Sequence, residues 1–228
     1  MKRSLGTLVV VSILAAATGC HAGKVPVSFS ARGGIGQAYV SMGELNDHFS
    51  LLRENLGTDL VSIDNGFQVC LEGRIWFYDR VAAVAGWEHY WIEASIDAGS
   101  YGLLFKAPTN TLILGAAVKV YEVPELLDVN LSARGLFGST VYGSNEFTLN
   151  SSLEEYKNNA YGWDLFAEAT STFIRPVEVG FMLGYRSLEI SELKNKFDEI
   201  AEHSISGDPV VLDFSGVYYY ITAGFRLW

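Results

Sequence analysis

From Val217 to Leu227 the side chains alternate in character: Val217, Tyr219, Ile221, Ala223, Phe225 and Leu227 fall on one face, and Tyr218, Tyr220, Thr222, Gly224 and Arg226 on the other. Side chains of a strand point alternately to opposite sides, so this stretch is expected to be a strand with one apolar and one polar face. Trp228 follows one position out of phase. An apolar strand closing a chain invites edge pairing and aggregation in water, so it needs a partner on each edge or a surrounding other than water.

The same two-faced stretch recurs seven more times. It is expected over about Val25–Ile35, Asn65–Phe77, Val81–Glu93, Thr111–Tyr121, Val129–Phe137, Tyr161–Phe173 and Val177–Ser187, with the final strand over Val217–Trp228. The links between these strands alternate in length. Those near Asp79, Pro124 and Arg175 are short, while Gln37–Asp64, Ala94–Asn110, Ser139–Ala160 and Leu188–Leu212 are many times longer. An even number of strands joined by alternately short and long links describes an up-and-down antiparallel barrel, with short turns at one end and loops at the other.

Lys2 and Arg3 precede an apolar run from Leu5 to Ala17, followed by small residues. This is the pattern of a secretory signal peptide, expected over residues 1–22, and it is shorter than the roughly 20 apolar residues a spanning helix needs. Ala17-Thr18-Gly19-Cys20 resembles a lipoprotein processing site, which would lipidate Cys20. Cleavage after Ala22 would instead remove Cys20 with the leader, and both readings stand open. Residues 23–228 then form one barrel domain. Without Lys2 and Arg3 the chain keeps 14 basic against 26 acidic residues, a net charge of −12, which argues against a nucleic-acid partner. Cys70 is the one other cysteine, so no disulfide framework is expected.

Which face points inward decides the environment. A soluble lipocalin-like barrel turns its apolar face in and shows a densely charged face to water. Here the polar faces are rich in glycine and nearly balanced in charge, with Glu72, Glu88, Asp164, Glu168 and Glu178 against Arg32, Arg74, Lys119, Arg134, Arg186 and Arg226. Such a set fills a narrow interior well when its members pair, each being costly to bury alone. Aromatic residues collect at the strand ends, Trp91, Tyr161, Trp163 and Tyr185 at one end and Phe77, Phe173, Phe225 and Trp228 at the other, as two interfacial girdles would. The apolar face is therefore expected to meet lipid.

On these strands, links and end residues the chain resembles the small bacterial outer-membrane β-barrel proteins of eight-stranded, OmpA, OmpX and OmpW-like architecture. The resemblance implies an all-β, eight-stranded antiparallel up-and-down transmembrane barrel in the outer membrane, inserted by an assembly machinery that reads the C-terminal strand. It also implies contact with outer-membrane lipid and lipopolysaccharide, and a monomer. Such folds host structural and adhesive scaffolds, narrow transporters or binders of small apolar and lipid ligands, and lipid-modifying enzymes, so the fold does not decide the function. The residues favour a scaffold with a filled interior and no large pore, and no enzyme, cofactor or metal site. Gly33-Gly34-Ile35-Gly36 is followed by no immediate helix, as a phosphate-binding loop would be, and His48, His89 and His203 lack metal-ligand spacing. Two loop helices are expected to fold over the mouth. Met42, Leu45, Phe49, Leu52 and Leu56 recur at helical spacing between Ser41 and Gly57, and Leu193, Phe197 and Ile200 do so within Ser191–His203.

Overall fold

Each long strand pairs antiparallel with its neighbours in sequence, and the first also pairs with the last, so the sheet closes on itself. The computed structural model describes residues 26–56, 63–97, 102–124, 126–145, 154–174, 176–203 and 206–227. The eight barrel strands are β1 Val27–Tyr39, β2 Asn65–Phe77, β3 Val81–Trp91, β4 Thr109–Val123, β5 Leu127–Asn145, β6 Glu154–Ile174, β7 Val177–Ser187 and β8 Gly216–Leu227. Closure runs from Phe29 opposite Leu227 to Ala38 opposite Tyr218. The fold is thus the closed eight-stranded up-and-down barrel that the alternation implies. The segment expected to be a leader, with Cys20, and Trp228 lie outside the described residues.

The barrel is inverted relative to a protein in water. Leu71, Leu112 and Ile221 are 60%, 61% and 57% exposed on the outer wall, whereas Gln68, Glu88 and Asp164 face inward and are buried. Leaving such a band in water would cost about 25 cal/mol for every Å² of apolar surface, so the wall is built for hydrocarbon. Eight strands enclose a lumen only wide enough for side chains. Glycines make room at the tightest places. A Cβ on Gly86 would meet the Leu71 carbonyl oxygen at 2.6 Å, and one on Gly115 would overlap the Ala133 carbonyl oxygen and meet Arg134 Cγ at 2.8 Å. Both glycines therefore admit the large charged side chains of the adjoining strand.

At the short-turn end Tyr78 and Asp79 both adopt left-handed backbone, with φ of 53° and 56°, which suits a tight hairpin twisted like its strands. At the opposite end the loops build a cap. Helix α1, Gly43–Leu56, buries Leu45 and Phe49 against the loops, with Met42 buried just before it, and the Phe49 and Phe105 rings lie 4.5 Å apart. Asn46 latches the return of this loop by accepting from the Ile63 amide at 2.7 Å and donating to the Ile63 carbonyl at 3.1 Å. The amides of Ser41 and Met42 donate to the carbonyls of Ser215 and Asp213 and tie the first loop to the last. Between β3 and β4 a small hairpin, Glu93–Asp97 with Gly102–Lys106, extends the sheet along the upper part of β5.

The helix expected within Ser191–His203 does not form. Lys194 instead bridges to Lys157 and Ile200, and Glu192 and Asp198 take left-handed backbone at φ 53° and 64°. Asn195 supplies the cause, since its side-chain oxygen accepts from the amides of Phe197 and Glu199 and offers the backbone a turn in place of helical bonds. Leu193 is buried while Phe197 is 69% exposed, so the three apolar residues share no face.

Candidate functional site

The inward positions of β1, β2, β3, β5, β6 and β7 converge on a packed ionic layer across the middle of the lumen. Arg134 lies at its centre. Its Nε and Nη2 donate to Asp164 Oδ1 and Oδ2 at 2.9 and 2.5 Å, Nη1 donates to Glu72 Oε2 at 3.0 Å, and Nη2 donates to Glu88 Oε1 at 2.9 Å. Glu72 Oε1 also accepts from Arg32 Nη2 and Arg74 Nε, each at 2.6 Å. Glu168 joins the same two arginines, pairing with Arg32 and, at 2.7 Å, with Arg74 Nη1. Arg186 donates to Glu88 Oε2 at 2.5 Å, and its guanidinium lies between the rings of Tyr90 and Tyr218, 4.4 and 4.7 Å from their centroids.

Four guanidinium groups thus meet four carboxylates in this layer, and it carries no net charge. Neutrality makes burial tolerable. An isolated ion here would carry a desolvation penalty of several kcal/mol, which close pairing with opposite charge offsets. Tyr90 and Tyr218 complete the set, donating their hydroxyl protons to Glu88 Oε2 at 2.7 Å and Asp164 Oδ2 at 3.1 Å.

A second ionic group closes the short-turn end. Lys119 Nζ lies 2.9 Å from both Asp79 and Asp128, and Arg226 pairs with Asp79 and approaches Asp128 and Glu178 at 3.6 and 3.9 Å. Trp76 lies under this group, with the Arg226 guanidinium 4.7 Å from its ring centre. Above the central layer the inward side chains become mainly apolar, with Gln68, Thr109 and Thr140 buried among them, and merge with the loop cap through contacts such as Tyr90 with Phe214. From one end to the other the lumen therefore holds an ionic plug, the central ionic layer and an apolar cap.

All eleven charged residues assigned to the interior from the sequence, Arg32, Glu72, Arg74, Glu88, Lys119, Arg134, Asp164, Glu168, Glu178, Arg186 and Arg226, face the lumen and take part in ion pairs. Sequence reasoning missed Asp79 and Asp128 as partners of Lys119 and Arg226, and Tyr90 and Tyr218 as members of the layer. Tyr218 does share the face of Arg226 in the alternation, but Asp79 sits in a turn, where no periodicity marks it. On the outer wall Trp91, Tyr161, Trp163 and Tyr185 are exposed toward the loop end, and Phe77 and Phe225 toward the turn end. The side chain of Phe173 is outside the described residues.

The histidines separate. His89 lies on the outer wall between Trp87 and Trp91, and its Nδ1–H donates to Asn110 Oδ1 at 2.9 Å. His48 and His203 are buried in the cap with ring centroids 4.3 Å apart. The glycines near Ile35 are part of β1. A Cβ on Gly36 would overlap the Tyr219 carbonyl oxygen, so close strand packing accounts for this one. Among the described residues no group of three or more His, Cys, Asp or Glu side chains could hold a metal ion.

No protein-family model matches the chain, and no curated protein sequence matches it. Solved structures do. The chain is similar to Ail, the attachment invasion locus protein of Yersinia pestis, solved in complex with the heparin analogue sucrose octasulfate, at 11% identity over 88% of this chain and 99% of that one, with a TM-score of 0.50. It is equally similar to a major outer membrane protein from Thermus thermophilus, at 11% identity over 89% of this chain and all of that one, also with a TM-score of 0.50. The likeness extends over the whole barrel and concerns the fold. Together with the outward apolar band, it gives the chain the fold of an outer-membrane β-barrel.

Proposed function

We propose that this outer-membrane barrel is a sealed, non-enzymatic scaffold that holds its loop cap at the outer surface and conducts no ions. The observation that carries this reading is the central layer. Arg134 reaches carboxylates on β2, β3 and β6 at once, so its bonds cross the lumen from wall to wall. An ion passing through would have to separate a buried guanidinium from several carboxylates, which is costly because it leaves uncompensated charge in a poorly solvated place. Each carboxylate of the layer is committed to one or more guanidinium groups, which fits a structural role better than proton transfer to a substrate.

Under this reading the long loops face the outside, the short turns face the periplasm, and the outer wall meets lipid along its whole circumference. The partners are then the membrane lipids, and the assembly machinery that engages β8 during insertion. Because the apolar band continues around the wall without demanding a second subunit, the barrel works as a monomer. Planar-bilayer recording of the refolded protein tests the reading. No stable conductance is expected, and sustained openings in the nanosiemens range would overturn it.

A further inference from the structure

We propose that Cys20 is a lipidation site and that its acyl chains lie in a valley on the outer wall across β8, β1, β2 and β3, an inference that rests on the membrane reading above. Small outward residues create the valley. Phe225, Ala31, Gly73, Ala85 and Leu114 are opposite one another in turn, so three small residues stand in a row between two large ones. The next outward row toward the loops adds Gly33 opposite Ala223, and the next toward the short turns adds Ala83. Two clefts of about 550 and 600 Å³ result, and because they share Ala31, Gly73, Ala85 and Phe225 they form one continuous depression.

The fold does not require the two glycines in its floor. Unlike Gly86 and Gly115, Gly73 has room for a side chain, since a Cβ there would meet nothing nearer than the Ala85 carbonyl oxygen at 3.9 Å. A Cβ on Gly33 would meet Leu71 Cδ2 at 3.5 Å, an ordinary contact. Neither residue has left-handed backbone. Glycine weakens the interior of a strand, and where neither space nor backbone demands it, it marks a place that something else approaches closely. The large outward residues around the valley, Phe29, Leu71, Ile75, Leu114, Phe225 and Leu227, are all apolar, so the occupant is hydrocarbon.

Position selects whose hydrocarbon it is. The lower cleft lies in the half of the wall next to the short turns, and Phe29 on its rim is two residues from the start of β1 at Val27. Cys20 precedes Val27 by seven residues, which reach at most about 25 Å when extended. Its sulfur can therefore stand at the membrane surface beside β1, with its chains directed along the wall. Ala17-Thr18-Gly19-Cys20, which resembles a lipoprotein processing site, supplies the chemistry. The Cys20 thiolate displaces the phosphorylated headgroup of a membrane phospholipid. A bond forms from Sγ to the diacylglyceryl carbon, the bond from that carbon to the phosphate oxygen breaks with its electron pair leaving on the phosphate, and the thiol proton passes to water. Water then hydrolyses the Gly19–Cys20 peptide bond, which leaves Cys20 as the first residue. The tether holds two acyl chains at high local concentration beside the valley, an advantage that free lipid lacks.

Expression of the full chain in cells fed a fatty acid that carries a photoreactive diazirine tests this, with irradiation of the membranes and mass spectrometry of the protein and its peptides. The mature chain should begin at Cys20 and carry one diacylglyceryl group, and its N-terminal peptide should cross-link to the peptides of β2 and β3 that hold Gly73 and Ala85. Gly73→Leu with Ala85→Leu fills the valley, so those cross-links should be lost while the lipid stays on Cys20. Should the double variant not fold, Ala85→Leu alone should weaken them. A mature chain that begins after Ala22 would overturn the modification. Cross-links from an acylated Cys20 spread evenly around the wall, cross-links to these peptides from free phospholipid alone or from a second copy of the chain, or cross-links undiminished in a folded variant would each overturn the valley as the seat of the lipid. Heat-modifiable migration in detergent gels is scored in parallel. Its absence from the unmodified protein would overturn the membrane reading itself, and its presence with an unacylated N-terminus would overturn this inference alone.

Discussion

Arg134 shows what one side chain does in this molecule. Replacing it with methionine keeps the bulk but leaves Glu72, Glu88 and Asp164 without their shared cation, and breaking a buried pair in this way costs about 3–5 kcal/mol. The urea midpoint of the refolded barrel should fall accordingly, and Arg134→Lys should recover little, since an ammonium cannot reproduce the fork of bonds that a guanidinium makes. Adding Asp164→Asn to Arg134→Met should restore part of the loss by removing one of the stranded charges. Much of this was legible beforehand. Arg134 and Asp164 are opposite one another in the ladder, as are Arg32 and Glu72, so alternation and register bring those pairs together. The bonds from Arg134 to Glu72 and from Arg186 to Glu88 cross the lumen, and these depend on closure, which no local pattern encodes.

Among the elements, α1 and the last loop differ in how far their sequences reveal them. Helical spacing of Met42, Leu45 and Phe49 marks α1 because that face really does pack, whereas the matching spacing of Leu193, Phe197 and Ile200 is overruled by the turn that Asn195 nucleates. The upper ends of β5 and β6 were also hidden. They pair beyond the predicted ends, through Asn158 opposite Thr140 to Glu154 opposite Ser144, in a stretch with no apolar alternation to betray a strand. The cap can be tested apart from the barrel. Phe49→Ala removes a ring packed 4.5 Å from Phe105, and losing a buried phenylalanine costs about 3–5 kcal/mol, which should fall on the cap. Protease cleavage between residues 191 and 203 should then quicken while heat-modifiable migration persists. Unchanged cleavage would show that the cap holds without Phe49.

For the whole molecule, the decisive property is that the wall is apolar outside and ionic within. Leu165, half exposed on the wall, is a sensitive probe. Leu165→Arg should destabilise the barrel in lipid by about 2–4 kcal/mol if the position lies near mid-bilayer, measured by reversible unfolding from vesicles, whereas a barrel living in water would hardly notice it. The direction of the wall could be read from the sequence because balanced charges shared a face with glycines, an arrangement that suits a crowded lumen and would serve a wetted surface poorly. The low identity between chains of this fold has a related physical basis. The fold is specified by alternation and by where the turns fall, and many different residues satisfy both, so two chains can share it at 11% identity.

Of the eight pairings that close the barrel, seven join barrel strands consecutive in sequence, and one, between β1 and β8, joins the two extremes of the barrel. The hoop is therefore fastened by hydrogen bonds alone at a single seam, while every other joint also has a covalent link. Phe29 and Leu227 are opposite one another at that seam, so a short peptide could bridge it and a cut could be made in an outer loop instead. The resulting chain would start at a different stave yet describe the same hoop, which means that the order in which the staves are laid down belongs to the gene and the ring itself does not depend on it.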